Sequence, residues 1–143
     1  MSYKSKRNYD GRKDDRGNSG NQLVLDIKRN AENILTEEDI EKFIDLSERF
    51  GTYCAKNGIS TSQIRGIFQK VKRLPDDFES SKKELNLLRP KLAYQKGRFS
   101  KLGPLTEVLD DLIKKVKDDS TLKGFKNFFE AIIAYHKAAG GAE

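Results

Sequence analysis

Apolar residues recur along most of this chain at the three-to-four-residue period of a helix, and nowhere do they alternate as in a half-buried strand. The recurrence begins late, with Leu23, Val24, Leu25 and Ile27, a short stretch read as a strap or brief helix docking on the core. Thr36, followed by Glu37, Glu38 and Asp39, reads as an N-cap with an acidic first turn, where the helix dipole favours negative charge. Ile40, Phe43, Ile44, Phe50 and Cys54 follow at helical spacing, and Gly58 supplies a C-terminal stop. Ser60 with Gln63 forms a capping box that opens a second helix. Its apolar residues Ile64, Ile67, Phe68, Val71 and Leu74 make one continuous face, and Pro75 ends it. A third helix is expected from Ser80 or Ser81, with Glu84 completing a capping box, through Leu85, Leu88 and Leu92 to Gly97. Pro90 inside it predicts a kink or a break into two short helices, since proline removes a donor and crowds the preceding turn.

Gly103-Pro104 opens a fourth helix with Leu105, Val108, Leu109, Leu112, Ile113 and Val116 as its apolar face. The last helix follows the DDST loop and puts Leu122, Phe125, Phe129, Ile132, Ile133 and His136 on one face, with Phe128 and Tyr135 along an edge. The pattern therefore predicts an all-α fold, a compact bundle of about five helices. No internal repeat is evident. Residues 1–22 contain no aliphatic residue beyond Met1 and are rich in Gly, Asn, Asp, Lys and Arg. Such a segment buries too little apolar surface to offset its ordering entropy, so it is read as a disordered basic tail before a single α-helical domain at 23–143.

Composition changes the picture mainly through charge. The chain has 143 residues, with 28 Lys plus Arg against 22 Asp plus Glu, for a net charge of +6. Residues 60–101 hold eleven bases and four acids, a local excess larger than that of the whole chain, while the flanking stretches 23–59 and 102–143 are mildly acidic. A basic block between acidic flanks fits a polyanion-binding surface or a pair of well-solvated helices. At 100° per residue, Ser62, Arg65, Gln69 and Lys72 cluster within about 80° on the side opposite the apolar stripe, with Arg73 at the margin. No acid shares this face, as a line of phosphate contacts requires. In the third helix Leu87, Lys91, Tyr94 and Arg98 share a side, which places an aromatic between cations and allows a base to stack on the ring. Tyr94 equally suits the core with its hydroxyl at the rim. Lys82, Arg89 and Lys96 run beside the leucine stripe, where snorkelling stems are the simpler explanation.

Catalysis finds little support. Asp76-Asp77, Asp110-Asp111 and Asp118-Asp119 are acid pairs, but adjacent helical residues diverge by about 100° and each pair sits near a terminus or on a polar face. His136, in the middle of an apolar face, reads as a buried, hydrogen-bonded histidine. Cys54 lies on the apolar side of its helix and reads as core. One cysteine cannot form an internal disulfide, and one histidine leaves almost nothing for a zinc site. Nucleotide-binding, hydrolase and metalloprotease signatures are missing, and no run is long and apolar enough for a membrane span. The expectation is a cytoplasmic, non-enzymatic protein without cofactor, catalytic or metal-binding residues.

Three segments, STSQIRGIFQKVKRL at 60–74, LNLLRPKLAYQKGR at 85–98 and GFKNFFEAIIAYHK at 124–137, carry a resemblance. In this order they resemble the small, inner-filament subunit of type III-A CRISPR effector complexes, the Csm small-subunit family. The resemblance implies a small α-helical antiviral-defence protein, present in several copies stacked head to tail beside other Csm subunits. It implies a non-catalytic RNA-binding role, holding guide RNA and paired target RNA by their backbones without reading sequence. The matching positions are Gln63, Arg65, Lys72, Arg73, Arg89, Lys91 and Arg98; Tyr94 joins them on the stacking argument above. A subunit built to stack leaves surfaces exposed when alone, so a homodimer in isolation is compatible with this expectation. On charge alone the basic block also suits a protein-only scaffold. A helix-turn-helix DNA-binding regulator is a further alternative, with Gly58 in the turn and residues 61–74 as recognition helix; Thr61, Ser62, Gln63 and Arg65 satisfy it only in part.

Overall fold

A computed structural model describes residues 11–141, with side chains from Gly20 onward. Among them are seven α-helices, one 3-10 turn at Ser100–Leu102 and no strand. The helices are α1 (Gly11–Arg29), α2 (Ala31–Thr36), α3 (Ile40–Lys56), α4 (Thr61–Lys72), α5 (Phe78–Arg98), α6 (Gly103–Lys115) and α7 (Asp119–Ala138). The all-α bundle expected from the hydrophobic period is present. It has two more helices than the pattern suggested, because the strap around Leu23–Ile27 is helical and a second short helix follows it.

Helix α1 starts ahead of the boundary drawn at residue 22. Leu23, Val24 and Ile27 are buried, and Gly20 packs so closely on Tyr53 that a Cβ there would lie 2.4 Å from the hydroxyl. A helix docked by its apolar residues extends at one hydrogen bond per added residue, which carries α1 back to Gly11 across polar sequence. Residues 1–10 of the expected tail lie outside the described residues.

The central element is α7, which packs on α2, α3 and α4. Its Phe125, Phe128 and Phe129 are fully buried. Phe128 meets Phe43 of α3 edge-on at 5.3 Å between centroids, and Phe129 meets Phe68 of α4 at 5.2 Å. Two glycines make this closeness possible. A Cβ on Gly51 of α3 would lie 2.6 Å from the Ile132 carbonyl oxygen, and one on Gly124 of α7 would lie 1.9 Å from that of Leu35. Beside this group, α6 supports α1 and α5.

Two caps differ from the expected ones. Thr36 ends α2, where its hydroxyl donates to the Glu32 carbonyl at 2.9 Å, instead of starting α3. Asp39 is the N-cap of α3 and accepts from Lys42 N at 3.1 Å. Asn33 explains the shift: its amide accepts from Asp39 N and donates to Asp39 O, drawing residues 37–39 out of helical register. Likewise Asp77, not Ser80 or Ser81, caps α5 and accepts from Ser80 N, because a carboxylate there reaches the free backbone donors first. Pro90 does not break α5, which runs continuously from Phe78 to Arg98. Pro90 and Asn86 both face solvent, so water can serve the Asn86 carbonyl that lost its donor.

Candidate nucleic-acid interface

The expected capping box opens α4: Ser60 Oγ accepts from Gln63 N at 3.1 Å, and Gln63 Oε1 accepts from Ser60 N at 3.1 Å. The start of α4 is also tied to the end of α7. His136, 1 % exposed, places Nε2 2.6 Å from the Ile59 carbonyl, and Thr61 Oγ1 donates to the Gly141 carbonyl at 3.4 Å. A carbonyl only accepts, so His136 carries its proton on Nε2, the buried structural role that its apolar neighbours predicted. At the other end Lys126 of α7 donates to the Leu74 carbonyl and pairs with Asp76 at 3.1 Å. Thus α4 is held by both ends to α7.

α5 is tied elsewhere. Arg89 Nε donates to Asp110 Oδ1 of α6 at 2.8 Å, so this expected RNA contact is already engaged within the chain. Between the two helices, which scarcely touch, lies a groove of about 250 Å³. Ser62, Gln63, Gly66, Ile67 and Lys70 wall it on the α4 side, and Leu88, Lys91, Leu92 and Gln95 on the α5 side. Among the described residues no carboxylate lines it. Two ammonium groups face a slot with an apolar floor and amide donors, a suitable arrangement for a phosphate backbone.

The expected positions separate into three groups. Gln63 and Lys91 lie in the groove. Arg65 and Arg73 are exposed on α4 outside it, while Lys72 borders a different pocket beside Phe68, Asp76, Asp119 and Glu130. The acid-free face seen along α4 is therefore bordered on one flank by acids from other parts of the chain. Tyr94, 63 % exposed, and Arg98 lie on the outer crest of α5, where the Arg98 guanidinium sits 5.0 Å from the Phe99 ring centroid. Lys70 and Gln95 were missed. At 100° per residue Lys70 lies about 140° around α4 from Arg65, and only the position of α5 brings it into the groove.

The acid pairs serve as structural ties. Asp118 caps α7 in a reciprocal box with Thr121, whose backbone and hydroxyl donate to it and hold its carboxyl below the usual range. Asp119 accepts from Phe78 N at 2.8 Å, and Asp111 pairs with Lys115 at 2.9 Å. Burial pushes the Cys54 thiol up to about 12. Among the described residues no group of three or more His, Cys, Asp or Glu side chains is placed to hold a metal ion. No helix among them is long and apolar enough to cross a membrane.

Comparison with known proteins decides the family. The Csm2 type III-A family model matches residues 36–142, which takes in α4, α5 and the groove between them. The chain belongs to the Csm2 type III-A family. A relative from Streptococcus thermophilus, described as CRISPR system Cms protein Csm2, is 31 % identical over 122 residues, covering 77 % of this chain and 98 % of that protein. No solved structure matches the chain at a significant level. The resemblance carried by the three segments at 60–74, 85–98 and 124–137 is thereby established, and all three fall inside the matched region.

Proposed function

We propose that this chain, a structural subunit of a type III-A CRISPR complex by its family, is a non-catalytic RNA-holding subunit that takes guide and target RNA by the phosphate backbone. The observation that carries the reading is the α4–α5 groove, with Lys70 and Lys91 on facing walls and no carboxylate between them. Arg65 and Arg73 extend the positive surface along α4 beyond the groove. The groove's lining includes no arginine and no aromatic side chain, and its two lysines engage phosphates as point charges, so contact is with the backbone and independent of sequence. A few phosphates per subunit give weak binding alone, and adjacent copies in the complex multiply it. Its setting is the cytoplasm, alongside other Csm subunits and further copies of itself, in antiviral defence.

The test is the salt dependence of single-stranded RNA binding by the full chain. Replacing Lys70 and Lys91 by Gln is expected to lower the log–log slope by about 0.7 per lysine, with helicity unchanged. Arg65→Gln with Arg73→Gln gives a smaller loss, since these side chains lie outside the slot. Binding equal to the parent in the Lys70/Lys91 pair would reject the groove as the RNA seat. Failure of RNA to crosslink to this chain within the assembled complex would favour the protein-only scaffold.

A further inference from the structure

Five large apolar side chains are exposed among the described residues: Leu25, Ile40, Ile44, Leu87 and Tyr94. Four of them fall on two stripes of opposite charge. On α3, Ile40, Glu41, Ile44 and Glu48 lie within about 100° of arc, with no cation among them. Lys42 and Arg49 are on the far flank, where Arg49 pairs with Asp45 and Asp26. On α5, Lys83, Leu87, Lys91, Tyr94 and Arg98 lie within about 80°, with no acid among them. Ile40 is 52 % and Ile44 38 % exposed, while Leu87 is 44 % and Tyr94 63 %.

The charges on both stripes take part in no ion pair among the described residues, although Arg98 lies over the Phe99 ring. Seven ion pairs join described residues, and none includes Glu41, Glu48, Lys83, Lys91 or Arg98. Each stripe therefore offers two apolar side chains flanked by charges of one sign, and the other supplies the complement. Their lengths agree: Ile40 to Glu48 spans about 12 Å and Lys83 to Arg98 about 22 Å, so the α5 stripe is long enough to receive the α3 stripe. They cannot meet within one chain, because α3 packs on α7 and α1 while α5 packs on α6.

We propose that α3 of one copy docks on α5 of a second copy, Ile40 and Ile44 against Leu87 and Tyr94, with Glu41 and Glu48 facing Lys83, Lys91 and Arg98. The contact is heterologous, since α5 against α5 would set cations against cations. It deepens the proposed function by naming the faces through which copies adjoin, and it rests on that reading only in taking them to adjoin. Tyr94 and Arg98 then belong to the protein contact, and RNA keeps Lys70 and the outer face of α4. Lys91 sits at the border of both.

The test uses the full chain without RNA, so its outcome is separable from that of the groove. Chains carrying Ile44→Cys and Leu87→Cys are mixed over a concentration series and oxidised mildly; the buried Cys54 contributes no background. The expected result is a cross-linked dimer in that mixture, at least about fivefold above Ile44→Cys mixed with Leu25→Cys. Glu41→Lys with Glu48→Lys on the α3 donor should abolish trapping, and Lys83→Glu with Arg98→Glu on the α5 donor should restore it. Trapping no better than with the Leu25→Cys control, or a charge swap that fails to restore it, overturns the proposal. Protection of Leu87→Cys from maleimide by a single-stranded RNA, without cross-trapping, overturns it in favour of RNA on this crest.

Discussion

Gly51 and Gly66 each lie within a helix that faces another, and they do opposite things. At Gly51 the missing Cβ lets the α7 backbone approach to a distance no side chain would permit, while at Gly66 a Cβ would meet nothing within 4 Å. The α3–α7 pair is a dry seam in which the buried rings of Phe43 and Phe128 meet edge-on. The α4–α5 pair is a gap walled by lysines, glutamines and a few aliphatic residues. A glycine in a helix interior costs about 0.5–1 kcal/mol relative to alanine. The seam recovers that cost as packing; the gap does not, since no described atom packs against Gly66. Under the proposed function, stability and binding fall to different pairs of helices.

That division breaks first, if it breaks, in the seam. Phe128→Ala should cost about 3–5 kcal/mol, read as a fall in the urea midpoint, because it empties the junction with Phe43 across the seam. A loss below about 1 kcal/mol would mean that the seam does not carry the fold. Gly66→Ala should act the other way, raising stability by about 0.5–1 kcal/mol while weakening RNA binding. Unchanged RNA affinity in that variant would leave Gly66 without a ligand-facing role. The smallest effect is expected at Asp118. Its carboxyl titrates below the ordinary value of about 3.9, so its contribution is complete above that pH and is lost as pH falls through the depressed folded value. Asp118→Asn should therefore flatten the acid limb of the stability curve below about pH 4 and have less effect on its pH dependence near neutrality.

Much of this was legible in the residues. The apolar period placed α3, α4, α6 and α7, and the Ser60-Gln63 box set the start of α4 to the residue. The misplaced caps share a cause, a competing acceptor a few positions away: Asp39 held by Asn33, and Asp77 ahead of Ser80. Pro90 misled because its cost depends on whether the abandoned carbonyl is wet, which is a property of the fold. Of the groove's lining, face geometry had named Ser62 and Lys91 and the family resemblance Gln63, but neither had named Lys70, since a single helix does not say which flank will have a neighbour. For the same reason face geometry placed Lys72 on an acid-free face, when α7 and the α4–α5 turn bring Asp119, Glu130 and Asp76 beside it. Arg89 looked available because its partner, Asp110, is 21 residues away in sequence.

The anchoring of α4 at both ends to α7, and of α5 to α6, gives the groove a mechanical character. Its two walls belong to different helix pairs, and α6 and α7 touch each other only sparingly. The hydrogen bond from Phe78 N to Asp119 ties the start of α5 to α7, so the walls are joined at that end and any widening of the groove pivots about it. For the proposed RNA seat, a slot hinged at one end would open most at its far end, toward the strand that enters it.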